Sequence, residues 1–428
     1  MKYRIKNGFL LLFDGKDFYV KKEDLFINED KIEAIGENNI DNPSTYTHID
    51  AENQLIMPGL INSHTHVYMN LMKNSADDVP FNTWLFDRIF PIEAKLNKED
   101  FYWGTMLGCI EMIKTGTTCY LDMHISEKDS AKAAADSGMR AFMGKCITGS
   151  DLYGDGYEAF KCAMAEKQEY ESGLLKFVLS PHSIYACSEK MLSQINEEAA
   201  KRNMLKHIHL SESKKELEDC LLKNAKTPVQ VLDDIGFLDN RTIVAHCVQL
   251  NKNDITILKE KGVNIATNPS SNAKLGNGAA PMYDILESGI NVCLGTDSAA
   301  SNNTLNMFRE MGIFSLLHKA INNSSEAFSA NDVLKCATIN PAKAMLLQDK
   351  IGVIAEGAYA DLIFIDLRAP SLFPNNHIVS SLCYSANGSE VDSVMINGKF
   401  VMKKGTLTTI DSERVYYEIN RIVDKYIK

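Results

Sequence analysis

Hydrophobic and polar positions follow two different patterns along this chain. From residue 1 to about 56, short apolar or alternating runs are separated by turns, which predicts β-strands. From Pro58 onward, short apolar runs alternate with longer amphipathic stretches that are typical of helices. After about residue 346 short strand patterns return, as in Ala360–Asp366 and Val391–Lys399. The last residues, Ser412–Lys428, predict an amphipathic helix.

The middle region determines the predicted fold. Its apolar runs include Thr118–Asp122, Lys176–Ser180, Lys206–Leu210, Thr242–His246, Val263–Thr267 and Asn291–Gly295. A strand followed by a helix, repeated about eight times over roughly 280 residues, predicts an α/β fold with a closed parallel barrel. The two β-rich ends are expected to pair into one small sheet domain. The expected domains are therefore residues 1–56 together with 346–428, and a barrel over residues 57–345.

Composition narrows the class of protein. The chain has 428 residues, 45% of them hydrophobic, and a net charge of −11. This charge argues against a nucleic-acid partner, since no basic field is available to neutralise phosphates. The first residues lack the features of a signal peptide, and no apolar run reaches the roughly 18 residues of a membrane span. The ten cysteines form no Cys-x-x-Cys pair, and we interpret them as buried apolar residues of a cytoplasmic protein.

Two histidines mark the most informative position in the chain. His64 and His66 end an apolar run and are spaced i, i+2, which places both on one face of a β-strand. Two imidazoles at the end of a strand can share one divalent metal ion. Taken alone, the pair could equally be two surface histidines near a turn. The residues at other strand ends decide between these interpretations.

Further polar residues lie at the carboxyl ends of apolar runs, where barrel enzymes keep their catalytic groups. They are His182, His209, His246 and Asp297. Three histidines and one aspartate can form the ligand set of a single divalent ion that activates a water molecule. Glu212, three residues after His209, is suited to moving protons without binding the metal.

Two other histidines are interpreted as structural. His207 is expected to point away from His209, toward the helix layer, as a packing or supporting group. His124 also ends a strand and could be mistaken for a ligand, but an isolated histidine is more often structural.

The chain carries a set of motifs that are highly specific in combination. They are Pro58–His66, Ser75–Pro80 with Trp84, Phe90–Leu96, His209–Ser213, Ala245–Val248, Asn268–Leu275 and Gly295–Asn303. Through them, nearly the whole chain resembles the amidohydrolase superfamily, and within it the 5-methylthioadenosine/S-adenosylhomocysteine deaminase branch. The resemblance implies a distorted (β/α)8 barrel with a small β-sandwich built from both termini.

The resemblance also implies a metal centre and a reaction. One zinc or iron ion, with zinc favoured, would be bound by His64, His66, His209 and Asp297. Asp297 would also accept a proton from the attacking water, Glu212 would protonate the purine ring nitrogen, and His246 would orient the attacking hydroxide. The implied reaction is hydrolytic loss of ammonia from an adenine nucleoside, which is the small-molecule partner.

The implied substrate contacts depart from the family pattern at one place. Trp84, Glu93 and His182 match substrate-contacting positions, and Glu93 is suited to holding ribose hydroxyls. Members that take S-adenosylhomocysteine resemble one another in having two arginines after the third barrel strand, which bind the amino-acid carboxylate. Lys145 and Tyr157 stand at the corresponding places here. The hypothesis is that this chain handles S-adenosylhomocysteine poorly and prefers 5'-methylthioadenosine, adenosine or 5'-deoxyadenosine.

Two alternatives stay open. The same site could act on guanine, a pterin, cytosine or a chlorinated triazine, although Trp84 and Glu93 favour a nucleoside because a free base has no ribose. A non-catalytic metal-binding scaffold is the alternative from another class. Glu212 and His246 argue against it, since a structural metal site normally closes its coordination. No pattern predicts the oligomeric state, and a homo-oligomer stays open.

Overall fold

The secondary structure follows the two patterns of the sequence. The computed structural model describes residues 1–37, 40 and 42–427. The strands are β1 (Lys2–Lys6), β2 (Phe9–Phe13), β3 (Phe18–Lys22), β4 (Leu25–Asn28), β5 (Lys31–Ile35), β6 (Thr47–Asp50), β7 (Gln54–Pro58), β8 (Leu60–Thr65), β9 (Thr117–His124), β10 (Arg140–Ile147), β11 (Leu175–Pro181), β12 (Leu205–Leu210), β13 (Thr242–His246), β14 (Asn264–Thr267), β15 (Asn291–Leu294), β16 (Leu362–Asp366), β17 (Val391–Ile396), β18 (Lys399–Lys403) and β19 (Thr406–Leu407).

Helices separate the strands of the middle region. The α-helices are α1 (Phe90–Glu93), α2 (Lys98–Lys114), α3 (Asp129–Ser137), α4 (Tyr157–Tyr170), α5 (Glu189–Arg202), α6 (Lys214–Asn224), α7 (Pro228–Asp234), α8 (Lys252–Glu260), α9 (Pro269–Lys274), α10 (Met282–Glu287), α11 (Met307–Asn322), α12 (Ala330–Cys336), α13 (Ile339–Ala344), α14 (Ile378–Tyr384) and α15 (Ser412–Tyr426). Short 3-10 helices cover Pro43–Thr45 and Val67–Met72, and a π-helical segment covers Thr83–Ile89.

Eight parallel strands, β8 to β15, form a barrel in sequential order. Several hydrogen bonds join its two ends. Among them, the Asp297 amide donates to the His64 carbonyl at 2.9 Å, and the Asn62 side chain donates to the Thr296 hydroxyl at 2.7 Å. The predicted α/β barrel is confirmed. Its closure already brings the segment after β15 against the end of β8.

The lower part of the barrel interior is apolar. Its inward-facing side chains pack together as one cluster made of Ile61, Leu121, Phe142, Val178, Leu205, Ile243, Ala266 and Cys293. Met345 and Ile351, which follow the last barrel helices, pack on the same cluster. The barrel is therefore a packed core rather than a pore, and its functional groups are expected at the carboxyl ends of the strands.

Strands from both ends of the chain form a two-layer β unit. One sheet has the order β19-β18-β17-β16-β7-β2-β3, with β16 and β7 pairing antiparallel. The second sheet has the order β5-β4-β1-β6, and its Ile5 and Leu25 pack against Phe364 of the first. The pairing of the two ends is confirmed, whereas the domain boundaries stay a prediction.

The amphipathic C-terminal segment forms α15. Its apolar face buries Val415, Ile419 and Ile422, and this helix packs against α2. Lys428, the end of the predicted helix, lies outside the described residues, as do residues 38, 39 and 41 of the predicted N-terminal β region. Among the helices of the described ranges, none has the length and apolar character that a bilayer crossing requires.

Candidate active site

The four predicted metal ligands come together at the carboxyl ends of three barrel strands. His64 and His66 lie at the end of β8, His209 at the end of β12, and Asp297 shortly after β15. Nε2 of His66 is 3.3 Å from Nε2 of His209. Oδ1 of Asp297 lies 3.4 Å from Nε2 of His66 and 3.6 Å from Nε2 of His64. The cluster is almost entirely buried, with His66 the most exposed member.

The tautomers of these histidines leave nitrogen lone pairs available to bind a metal ion. Nδ1 of His66 donates to the Met123 carbonyl at 2.7 Å, and Nδ1 of His209 donates to the His182 carbonyl at 2.8 Å. Both Nε2 atoms therefore carry free lone pairs. Nε2 of His64 is buried and has no hydrogen-bond partner among the described residues.

The spacing of the donors agrees with this fit. Two lone pairs only 3.3 Å apart, on His66 and His209, repel each other unless a cation lies between them. Zinc–nitrogen bonds of about 2.0–2.1 Å at tetrahedral angles place two ligand nitrogens about 3.4 Å apart. Three imidazoles and one carboxylate are also the ligand types that such ions prefer. The site therefore fits one divalent metal ion.

Two hydroxyls orient the carboxylate of Asp297. Its Oδ2 accepts from Ser271 at 2.6 Å and from Ser301 at 2.8 Å, so Oδ1 faces the histidines. Both serines lie within the motifs that carry the family resemblance, but the motifs assign them no role. Burial opposes ionisation of Asp297, but the adjacent histidines, His64 foremost, hold its pKa well below the usual range. Burial also lowers the pKa of His64 to about 3, which favours the neutral imidazole that metal binding needs.

Glu212 and His246 face each other beside this cluster. Oε2 of Glu212 is 3.8 Å from Nε2 of His246, and its Oε1 accepts from Asn277 at 3.2 Å. Nδ1 of His246 donates to Oδ1 of Asn272 at 2.9 Å, so its Nε2 faces Glu212. Burial raises the pKa of Glu212. Burial opposes protonation of His246, but the carboxylates of Glu212 and Asp297 raise its pKa. This pair can therefore hold and exchange a proton.

The backbone turns sharply where these residues leave their strands. Ser211, His246 and Asp297 have positive φ angles between 51° and 73°, a conformation that non-glycine residues rarely adopt. Such strain persists only where the surroundings hold it, and it is often found at functional sites. At Ser211 the support is Glu216, whose buried carboxylate accepts the amides of Ser211 at 3.2 Å and Glu212 at 2.7 Å.

A cavity of about 310 Å³ opens beside the cluster. Of the predicted substrate contacts, Trp84, Glu93, Lys145 and His182 line it. The indole N–H of Trp84 donates to the Ala300 carbonyl at 3.2 Å, which fixes the ring in the wall. The apolar part of the lining includes Met69, Phe81, Leu85, Phe90 and Ile125. A flat, largely apolar ligand with a polar edge fits such a space.

Tyr157 is not brought into this cavity, contrary to the expectation from the sequence. It begins α4 in the outer helix layer and is 44% exposed, because the loop after β10 carries it away from the strand ends. Lys145 does reach the cavity. Its ammonium group donates to the carbonyls of Ile125 at 2.6 Å and Ser126 at 2.7 Å, so most of its donor capacity is already used.

Tyr68 supports Glu93, and the sequence contained no signal for this role. Tyr68 lies two residues after His66, is buried, and donates its hydroxyl to Oε1 of Glu93. Burial raises the pKa of Glu93 to about 7, with the Tyr68 hydrogen bond acting in the opposite direction. In the sequence, Tyr68 lies in an apolar segment and cannot be distinguished from a core tyrosine. Only the fold shows the partner of its hydroxyl.

The predicted orientation of His207, toward the helix layer, is wrong. His207 and His209 are two residues apart on β12, so their side chains share one face of the strand. Nε2 of His207 lies 2.8 Å from Nδ1 of His64, next to the cluster. His124 lies apart from it, with Nε2 3.5 Å from Oε2 of Glu166 on α4.

Fold and site together define a parallel β/α-barrel protein with a histidine–carboxylate cluster of metal-binding type at the carboxyl ends of its strands. The sequence profile of the amidohydrolase family matches residues 55–401. The chain belongs to the amidohydrolase family.

Two named relatives and one solved structure align along nearly the full length. The chain is 41% identical to the 5-methylthioadenosine/S-adenosylhomocysteine deaminase of Caldanaerobacter subterraneus subsp. tengcongensis, over 100% of this chain and 99% of that protein. It is 41% identical to the 5'-deoxyadenosine deaminase of Methanocaldococcus jannaschii, over 94% of this chain and 97% of that protein. An adenosine deaminase from Xanthomonas campestris, solved with bound zinc, superposes with a TM-score of 0.94 at 29% identity, covering 99% of this chain and 98% of that one.

Proposed function

We propose that this chain is a zinc-dependent hydrolase that converts adenine nucleosides to the inosine analogue and ammonia. The observation that carries the proposal is the convergence of four metal-ligand candidates and an acid–base pair at one cavity, namely His64, His66, His209, Asp297, Glu212 and His246. The named activities of the relatives support the substrate class. The three imidazoles and one carboxylate suit both zinc and ferrous iron, and zinc is proposed because it is bound in the similar Xanthomonas campestris protein.

Each step of hydrolytic deamination has a residue suited to it. A divalent ion held by the four ligands would lower the pKa of a water molecule and so favour the attacking hydroxide. Asp297 would take the proton of that water through Oδ1, since two serines hold Oδ2. Glu212, whose pKa burial raises, would give a proton to the purine ring nitrogen. His246 would orient the attacking hydroxide through Nε2. Asp297 would return its proton to the departing amine, which leaves as ammonia, and the hydroxyl proton on the purine carbon would pass to the Glu212 carboxylate as the carbonyl forms.

An ammonia-release screen tests the proposal. The zinc-loaded protein should deaminate adenosine, 5'-methylthioadenosine and 5'-deoxyadenosine, and it should leave guanine and cytosine unchanged. Removing the metal with a chelator should abolish turnover, and zinc should restore it. Preferred turnover of guanine or cytosine would replace the proposal with the same-site alternative, and no ammonia from any compound would favour the non-catalytic scaffold.

S-adenosylhomocysteine is expected to be a poor substrate. Of the described residues that line the cavity, none is arginine, and the Lys145 ammonium is held by two carbonyls. The amino-acid carboxylate of S-adenosylhomocysteine would lose its hydration in this cavity without gaining a bidentate arginine partner. We expect kcat/KM for S-adenosylhomocysteine to be at least about tenfold below that for 5'-methylthioadenosine, which corresponds to about 1.4 kcal/mol. The apolar 5'-butylthioadenosine controls for chain length and should be turned over well. Equal or faster turnover of S-adenosylhomocysteine would contradict this prediction.

Glu93 is expected to control binding of the ribose. Replacing Glu93 with glutamine should raise KM for adenosine about tenfold or more with little change in kcat, because hydrogen bonds to a charged group contribute about 1.5–3 kcal/mol. The matched control is 2',3'-dideoxyadenosine, which lacks the hydroxyls and whose KM should be the same in both proteins. A shared loss for both substrates would mean that Glu93 supports the fold rather than the ribose.

The same residue predicts a pH dependence of substrate binding. Burial raises the pKa of Glu93 to about 7, so its carboxylate is charged above that pH and neutral below it. Because the charged form is the stronger acceptor, KM for adenosine should rise as the pH falls through about 7. The measurement is KM between pH 5.5 and 8.5 for the wild type and the Glu93→Gln variant, whose KM should lack this step. A step of equal size in the variant would assign the titration to another group.

A further inference from the structure

His207 lies inside the barrel and joins His64 to the backbone of the neighbouring strand. It is fully buried on β12. Its Nε2 is 2.8 Å from Nδ1 of His64, and its Nδ1 is 3.0 Å from the carbonyl oxygen of Ile243 on β13. The two imidazoles and the carbonyl therefore form a chain of two hydrogen bonds that ends at the metal-ligand cluster.

The chemistry of these groups determines which atom donates and which accepts in each of the two hydrogen bonds. The Ile243 carbonyl can only accept, so Nδ1 of His207 carries the hydrogen. Nε2 of His64 is buried without a hydrogen-bond partner among the described residues and lies 3.6 Å from Oδ1 of Asp297, so it is the nitrogen that would bind the metal through its lone pair. A neutral imidazole has one N–H, which for His64 is then on Nδ1. Nδ1 of His64 therefore donates to Nε2 of His207, which accepts.

His64 differs from the other two histidine ligands in how its ring is held. His66 and His209 donate to main-chain carbonyls of Met123 and His182, which side-chain substitutions do not remove. His64 instead depends on a side chain, that of His207. We propose that His207 is a positioning residue that fixes the tautomer and ring orientation of His64 for metal binding. This inference rests on the proposed role of His64 as a ligand.

Metal affinity tests the inference with three variants. His207→Phe removes the acceptor at similar volume, whereas His207→Gln keeps an oxygen that can accept from His64 and an amide that can donate to Ile243. His318→Phe is the control, because His318 is equally buried but packs between Phe314 and Phe328. In zinc competition with a chromophoric chelator, His207→Phe should bind zinc about 10- to 100-fold more weakly. His207→Gln and His318→Phe should remain close to the wild type. Equal affinity of the His207→Phe variant, or equal loss in both His207 variants, would overturn the proposal.

A spectroscopic measurement keeps the inference testable if His207→Phe does not fold. In zinc-loaded wild-type protein labelled with ¹⁵N-histidine, His64 should show an exchange-protected Nδ1–H signal with a cross-peak to the His207 ring. The signal should persist in His207→Gln. A hydrogen on Nε2 of His64, or no contact with His207, would refute the inference. Both readouts are independent of turnover, so a protein that binds zinc but deaminates no nucleoside would refute the proposed function and leave this inference standing.

Discussion

Replacing Glu212 with glutamine is expected to lower kcat for adenosine deamination by about 10²- to 10⁴-fold, the usual contribution of general acid–base catalysis. Glutamine has nearly the same shape and can still accept the hydrogen bond from Asn277 at Oε1. It has no acidic proton to give to the purine ring nitrogen. Since Glu212 is not among the four proposed ligands, the bound zinc should stay at the wild-type level.

The control for this variant is an exposed glutamate on α6, the helix that follows Glu212. Glu218→Gln on α6 makes the same chemical change at a side chain that is 58% exposed, and it should leave kcat and zinc content unchanged. The measurements are initial rates of ammonia release and metal content by mass spectrometry. Near wild-type turnover in a zinc-replete Glu212→Gln protein would remove Glu212 from the mechanism. Loss of zinc would show that the residue acts on the metal instead.

Replacing Arg140 with methionine is expected to lower the free energy of unfolding by about 3–5 kcal/mol, because it leaves a buried charge without its partner. Arg140 on β10 is 1% exposed, and Asp361, next to β16, is 3% exposed. The guanidinium donates to both carboxylate oxygens of Asp361 at 2.6 and 3.1 Å and to the Gly173 carbonyl at 2.9 Å. This ion pair connects the barrel to the terminal sheets.

Two further variants separate the buried charge from general damage. Arg202→Met removes an exposed partner of Glu198, 2.9 Å away, and should cost less than about 1 kcal/mol. Adding Asp361→Asn to Arg140→Met should recover part of the loss, because asparagine carries no charge and can still accept from the Asn397 amide. Urea unfolding and Tm measure these effects. An Arg140→Met protein as stable as the Arg202→Met protein would show that the buried pair adds little.

Much of the candidate site could be predicted because, in a parallel barrel, a residue's place at the end of a strand also fixes the face of the barrel on which it lies. Parallel strands place their carboxyl ends on one face, so a polar residue that ends an apolar run is directed there. His64, His66, His209, His246 and Asp297 all end such runs, and all lie within one cluster in the structure. Their chemical roles remain proposals.

The positions of Tyr157 and His207 differ from the sequence-based expectations for physical reasons. Tyr157 follows β10 by a loop of several residues, and a loop has no periodicity from which its path can be predicted. His207 lies on the same side of its strand as His209, as the i, i+2 spacing requires, and does not face the helix layer as expected. Its contact with His64 connects strands that are far apart in the chain, and no local pattern indicates such a contact.

The sequence by itself determined the α/β class, the pairing of the two chain ends, the family and the residue types of a divalent metal site, because these depend on hydrophobic period and on motifs. Only the tertiary structure decided how those residues are held. It placed two serines on Asp297, the Tyr68 hydroxyl on Glu93 and the ring of His207 against His64. It also excluded Tyr157 from the cavity. Hydrogen bonds of this kind join side chains from different strands and loops, so they exist only once the barrel has closed.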